Sequence, residues 1–432
     1  MMCKEPPDSD NIPTSFDRWL TRRGLQGNPF EKRNAEHDED LTCYFVDVSG
    51  FDELLHLAEP CVVFTKRGCG KTAQRQMLAA QCRPLSRNGS MLAVTYTYSG
   101  FEHALESASN DVRQLRSSHH VRVLLRLGLS TLMSVASYDP DVHNKLASPG
   151  VASRLVAYVA RFAPHLRDGA NAGISSSLDD LSSLELMEGF AGLVKDAGLE
   201  SCMVLVDGLD EFPRTADDPV QATAFLAPLL GTLALIECPG WVFKFFLPQE
   251  LEPNLRACKW FRADRLYFFH ISWSESALQA LISHRLVYFS EREHPYQDLA
   301  QLCEEQLGQV INSELVALAE GSPRAALTLA DKLFRSHCRQ SAPPELIALD
   351  TWEQVKTYWL AHREDFMAED SSLAISGQGL KPEAGPAEET ATRPVLIFDM
   401  EKRLLWLGDN DITGKDQPTR LPRVGVPLRV SG

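Results

Sequence analysis

Two stretches of this 432-residue chain bring together residue types whose spacing could do chemistry. The first is Cys61-Val-Val-Phe-Thr-Lys-Arg-Gly-Cys-Gly-Lys-Thr72, an apolar run that breaks into a glycine-bearing turn. A strand, a glycine turn, Gly-Lys-Thr and a helix, in that order, describe a phosphate-binding loop. Glycines let backbone N–H groups close around phosphate oxygens that a side chain would keep away. The start of the following helix adds unpaired N–H donors and the positive end of its dipole. In such a loop Arg67, Gly68, Cys69, Gly70 and Ala73 would line the phosphate cradle. Lys71 would reach the β and γ phosphates, and the Thr72 hydroxyl would ligate Mg²⁺. The spacing departs from G-x-x-x-x-G-K-[ST] at its first position, where Thr65 stands in place of glycine. Thr65 is expected to stiffen the start of the loop, and it bears on the rate of turnover.

The second stretch is Ser201-Cys-Met-Val-Leu-Val-Asp-Gly-Leu-Asp-Glu-Phe212. Its apolar run reads as a strand buried on both faces, as in a parallel sheet. That strand delivers Asp207 at its C-terminal end, where open α/β sheets bind their ligands. Asp207 would hold Mg²⁺, directly or through water, opposite Thr72. Glu211 is within reach of a water attacking the γ phosphate, and Asp210 would assist with the metal or polarise Glu211. Lys71, Asp210 and Glu211 are the candidate catalytic set.

Positioning these groups takes a sheet. Residues 91–98 are rich in β-branched and aromatic types and read as a second strand. Residues 240–247 read as a later strand stopped by Pro248, and residues 266–271 as the last. Gln249, at the tip of the strand before it, is either a γ-phosphate sensor or an ordinary surface glutamine. Arg262 and Arg265 could project into a neighbouring subunit's nucleotide as arginine fingers, or pair with Asp264 or another carboxylate of their own chain. Helical spacing covers residues 73–81, 101–166 with turn-formers over 137–149, 184–199 after a polar linker, and 220–235. The last of these has Asp218 as cap and Pro219 in its first turn.

From Ser274, an expected N-cap, the pattern is helical to about residue 337. Within Glu320-Gly-Ser-Pro-Arg-Ala-Ala326 the helix start places Arg324 against the positive dipole end. That placement suggests an anionic partner, such as a nucleotide phosphate met from a helical lid. The alternative is a surface arginine beside Glu320. Residues 350–363 form a final amphipathic helix, a Gly/Pro/Ala/Glu-rich linker follows, and residues 394–398 and 403–407 suggest a hairpin. At the other end, Phe16-Asp-Arg-Trp-Leu20 could dock as a short helix. Gly27-Asn-Pro-Phe30 either packs on a nucleotide base or anchors a solvated arm, and residues 43–47 read as a short strand or an extended segment. The adjacent His119 and His120 do not face the same way on a helix and do not make a metal site.

The net charge of −15 argues against a generic polyanion-binding surface, so nucleic acid is not the default partner. The ten cysteines follow no metal-ligand spacing and fit reduced thiols in the cytoplasm. No run of about 20 apolar residues occurs, so no membrane span is expected. The organisation expected is an arm (1–40), an α/β nucleotide-binding core (41–272), a helical lid (273–365), a linker (366–393) and a small β segment (394–432).

Asp207-Gly-Leu-Asp-Glu211, with Lys66-Arg-Gly-Cys-Gly-Lys-Thr72 and Gly321-Ser-Pro-Arg324, resembles the AAA+/STAND group of P-loop ATPases. Within that group the likeness is to bacterial ATPases related to the origin-recognition-complex branch, and it extends over roughly residues 27–340. The resemblance implies an αβα sandwich around a parallel sheet with a helical lid, ATP held between them, and Mg²⁺. It also implies hydrolysis coupled to conformational change or oligomer assembly. The residues carried over are Lys71 and Thr72 to the triphosphate and Mg²⁺, Asp207 to Mg²⁺, Glu211 to the attacking water and Arg324 to the lid sensor. A non-hydrolysing nucleotide-dependent scaffold and a DNA-associated loader ATPase are the alternatives.

Overall fold

A computed structural model describes residues 14–48, 50–82, 91–166, 180–216, 218–340, 343–376, 394–399 and 404–409, with side chains described outside 160–182 and up to Arg363. In chain order, α1 (Ser15–Arg22), α2 (Leu41–Tyr44) and α3 (Phe51–His56) lead into β1 (Cys61–Thr65) and α4 (Lys71–Gln81). Next come β2 (Met91–Tyr96), α5 (Tyr98–Ser107), α6 (Ser117–Tyr138), α7 (Pro140–Ala147), α8 (Pro149–Leu166) and α9 (Asp180–Asp196). β3 (Ser201–Val206), α10 (Pro219–Leu230), α11 (Leu233–Ile236), β4 (Trp241–Pro248), α12 (Glu252–Ala257) and β5 (Tyr267–His270) follow. The chain continues through α13 (Glu275–Phe289), α14 (Glu305–Gly308), α15 (Ile311–Ala319), α16 (Pro323–Cys338) and α17 (Leu349–Ser376) to the antiparallel pair β6 (Pro394–Asp399) and β7 (Leu404–Asp409).

The chain divides into two compact units. One comprises Asp52–Arg67, Gln74–His270 and the chain from Ile375, and it holds a five-stranded sheet in the order β2-β3-β4-β1-β5. All four pairings are parallel. The central strands β1, β3 and β4 are apolar runs because helices cover both faces. β2, at an edge, alternates buried and half-buried residues, and β5, at the other edge, is exposed at both ends and half-buried between. One charged residue breaks the apolar rule. Lys244, fully buried on β4, donates Nζ to the Leu57 carbonyl at the end of α3 at 2.6 Å, and its burial depresses its pKa. The chain leaves β1 toward β2 on one side and β4 toward β5 on the other, so the strand order reverses between β1 and β4. Such a reversal is where an open parallel sheet has its crevice.

The other unit comprises Met1–Phe51, Gly68–Ala73 and Ile271–Ala374, and it is helical around its own apolar core. Ser274 caps α13 by accepting from the Ala277 N–H, as its position before an apolar face requires. α1 docks through Trp19, whose ring meets Phe334 edge-on at 5.3 Å and whose Nε1 donates to the Glu345 carbonyl. Asn28 donates to Asp331 at 2.6 Å, and Phe30 is fully buried against Phe334. The Asn-Pro-Phe arm is thus held in the helical core. Arg285 reinforces it, donating to the Pro29 and Lys32 carbonyls and to Asp38 while lying over the Tyr44 ring.

Several local expectations change. Of residues 43–47, Cys43 and Tyr44 end α2 and only the chain from Phe45 runs extended, without pairing as a strand. The turn-formers over 137–149 include a helix, α7, because Asp139 caps it and Pro140 fits its first turn. Asp218 and Pro219 start α10 as expected, but the helix stops at Gly231 and resumes as α11. β2 ends at Tyr96, two residues early, because α5 begins at Tyr98. α17 continues to Ser376, into the stretch whose composition reads as a linker, and residues 377–393 lie outside the described residues.

Candidate functional site

β1 ends at Thr65, which is buried and paired in register with Pro248. Strand geometry is extended, so the first position of the motif has no need of glycine here. Left-handed backbone appears only later in the loop, at Gly68 (φ 77°) and Gly70 (φ 92°), where residues with a Cβ are strained. α4 then begins directly at Lys71, which is buried.

The helical unit contains the turn of this loop. The Trp273 indole donates to the Cys69 carbonyl at 3.0 Å, and its ring lies 3.7 Å from where a Gly70 Cβ would stand. The Cys69 thiol reaches the Gly321 carbonyl at 3.7 Å. Arg324 packs over Gly68, 3.5 Å from where its Cβ would be. The Trp273 bond uses the loop's carbonyl, not one of its N–H groups. Ser322 caps α16 through the Ala325 N–H, with Pro323 in the first turn and Arg324 next to it. Trp273 also lines an open cleft of about 670 Å³, where Val46, Val48, Ala277 and Ala280 alternate with Asp47, Ser272, Ser274 and Ser276. Neither Trp273 nor this cleft was legible from motif spacing, although a tryptophan just before the Ser274 cap is a signal that could have been followed.

In the sheet unit, β3 delivers Asp207, buried to 2 % side-chain exposure. Its Oδ2 accepts from Arg75 Nε at 3.1 Å and its Oδ1 from the Gly208 N–H at 2.8 Å. Arg75 lies one helical turn after Lys71, on the same face of α4. Its spacing of four from Lys71 is the one signal of it in the sequence. Gly208 (φ 90°) starts a tight turn in which the Glu211 and Phe212 N–H groups donate to its carbonyl and the Thr215 hydroxyl donates to the Leu209 carbonyl. Leu209 and Phe212 anchor the turn in the core, leaving Asp210 buried and Glu211 half-buried.

The sequence model of the ORC-CDC6-like family matches residues 28–115. Over these residues the chain is similar to the ORC/CDC6-related AAA+ ATPases. The ORC-CDC6-like segment takes in the Asn-Pro-Phe arm, the glycine-bearing loop after β1, α4 and β2, and it stops before β3 and its carboxylates. No curated protein matches the chain.

The remaining candidates sit apart from these contacts. Gln249 is exposed, in the turn after β4. Arg262 forms a two-point pair with Asp264, and Arg265 one with Glu237, all within the chain and on the surface. Glu320 pairs with Arg363 of α17, 43 residues further along the chain. His120 holds Tyr96 OH at 2.7 Å on Nδ1 and the Phe225 carbonyl at 3.1 Å on Nε2, which commits both ring nitrogens to the core. No group of three or more metal-ligating side chains is found among the described residues, and no described helix is long and apolar enough to cross a membrane.

Proposed function

We propose that the chain binds ATP with Mg²⁺ at the loop between β1 and α4 and hydrolyses it, coupling turnover to lid movement or assembly. The observation that carries this reading is the loop itself. Its two left-handed glycines and the helix beginning at Lys71 are the geometry a triphosphate requires, and the family match spans them. Lys71 binds the β and γ phosphates. Arg67, Gly68, Cys69, Gly70 and Ala73 line the cradle, and Arg324 meets the phosphates from the start of α16. The cleft beside Trp273 is of ordinary ligand-pocket volume, and its mixed lining offers a base the Trp273 ring together with the polar groups of Asp47, Ser272 and Ser276.

The donor set fits Mg²⁺, because a hydroxyl (Thr72) and a carboxylate (Asp207) are the oxygen ligands that a hard cation takes alongside phosphate. Bound there, Mg²⁺ would neutralise charge developing on the transferred phosphoryl group. Arg75 and the Gly208 N–H hold the Asp207 carboxylate in one orientation. Glu211 orients and deprotonates the attacking water, and Asp210, buried in the same turn, polarises it. Arg262 and Arg265 act as fingers only in an oligomer. Their pairs lie on the surface, where solvent screens ion pairs, so they cost little to break.

A phosphate-release assay on the full chain tests this directly. Wild type should release phosphate in Mg²⁺, and Glu211→Gln should bind ATP but release at least about tenfold less. Equal rates for the two would remove Glu211 from its role, and no release by wild type would leave a nucleotide-dependent scaffold. Association with DNA is a second reading, favoured by the family match. It would appear as a gel shift that weakens steeply with salt.

A further inference from the structure

Glu320 adopts a left-handed conformation (φ 47°, ψ 45°) at the end of α15, immediately before the left-handed Gly321. Glycine takes that conformation without penalty, whereas a residue with a Cβ does so at a cost. Strain that persists at one position is held by its surroundings and is commonest where function needs a fixed geometry. What grips Glu320 is Arg363, whose Nη1 and Nη2 donate to Oε1 and Oε2 at 2.6 and 2.8 Å. Arg363 follows the break in α17, where His362 leaves helical geometry (φ −130°, ψ 17°). The break is itself braced: the His362 and Tyr358 rings stack at 4.3 Å, and His362 Nδ1 meets the Tyr358 carbonyl at 3.0 Å. The turn that Glu320 begins supplies the Gly321 carbonyl to Cys69 and carries Arg324 over Gly68.

We propose that Arg363 is a positioning residue for the phosphate-binding loop: through Glu320 it holds the Gly321–Arg324 turn in place, which ties the break in α17 to nucleotide binding. The inference rests on the nucleotide-binding reading above. It assigns a role to a side chain that touches neither nucleotide nor metal, and it makes α17 the helix that registers the loop's state.

ATP titrations on the full chain in Mg²⁺, with urea unfolding alongside, test it. Arg363→Ala should weaken ATP binding by about three- to tenfold, and Arg324→Ala by more. The double variant should match Arg324→Ala alone, because Arg363 acts only through the turn that carries Arg324. Glu320→Ala should behave as Arg363→Ala does, while Glu320→Gly, which adopts the left-handed turn unaided, should bind within about twofold of wild type. A general loss of structure would lower all of these affinities together with the unfolding midpoint, and would not spare the glycine variant. Wild-type affinity in Arg363→Ala, or Arg363 and Arg324 effects that multiply, would overturn the proposal. Wild type that binds no ATP would overturn the nucleotide-binding reading and this inference with it.

Discussion

Two arginine–carboxylate pairs, one in each unit, have nearly the same chemistry and opposite surroundings. Arg75 and Asp207 are 5 % and 2 % exposed, inside the sheet unit at the end of β3. Arg363 and Glu320 are 38 % and 62 % exposed, in the helical unit at the end of α15. Charges taken out of water must stay matched, because a lone buried charge has no solvent to fall back on. Charges in water lose little when a partner goes. The first pair therefore fixes a carboxylate, and the second adjusts a turn whose backbone is already under strain.

The largest expected effect lies at the buried pair. Asp207→Ala removes the carboxylate that accepts from the buried Arg75 and should cost about 3–5 kcal/mol in urea unfolding. Arg75→Met combined with Asp207→Leu should recover much of that loss. A single variant that costs under about 1 kcal/mol would break the comparison, because burial would then not set the scale.

His120 extends the same rule to acid. Burial lowers its pKa from 6.5 to about 3, so the folded protein keeps it neutral where the unfolded chain would bind a proton. Its contribution to stability is complete above pH 6.5 and is lost as pH falls from there toward 3. Unfolding at pH 7 and pH 4.5 should differ less in His120→Gln than in wild type.

Next in size is the loop. Gly70→Ala puts a Cβ on a left-handed residue and should cost about 1–2 kcal/mol, without the charge penalty of the buried pair. The smallest effect sharpens the other arm of the comparison. Arg363→Ala should change unfolding free energy by less than about 1 kcal/mol while still weakening ATP binding. A stability loss as large as that of Asp207→Ala would make the exposed pair a structural lock.

The parts of the molecule that read plainly from sequence are those built on covalent neighbours. Apolar runs gave the parallel strands, because only strands covered on both faces tolerate Val-Leu-Val or Phe-Lys-Phe-Phe in succession. Ser274, Ser322 and Asp218 marked helix starts because a cap acts within three residues. Thr65 looked like a defect by spacing and is harmless in conformation, since the motif's first position lies here in a strand. Arg75, Trp273 and Arg363 escaped notice because what they do depends on partners 132, 204 and 43 residues away in the chain. Neither period nor spacing carries information over such distances. The Asn-Pro-Phe arm was ambiguous for the same reason, until Asp331 and Phe334 supplied its partners.

The central claim is that the loop between β1 and α4 binds ATP, and calorimetric titration of ATP in Mg²⁺ into wild type and Lys71→Ala tests it most directly. Saturable one-site binding by wild type, weakened at least about a hundredfold in Lys71→Ala with its unfolding midpoint unchanged, is the result expected for a lysine on the β and γ phosphates. Equal affinity in the two proteins would contradict it.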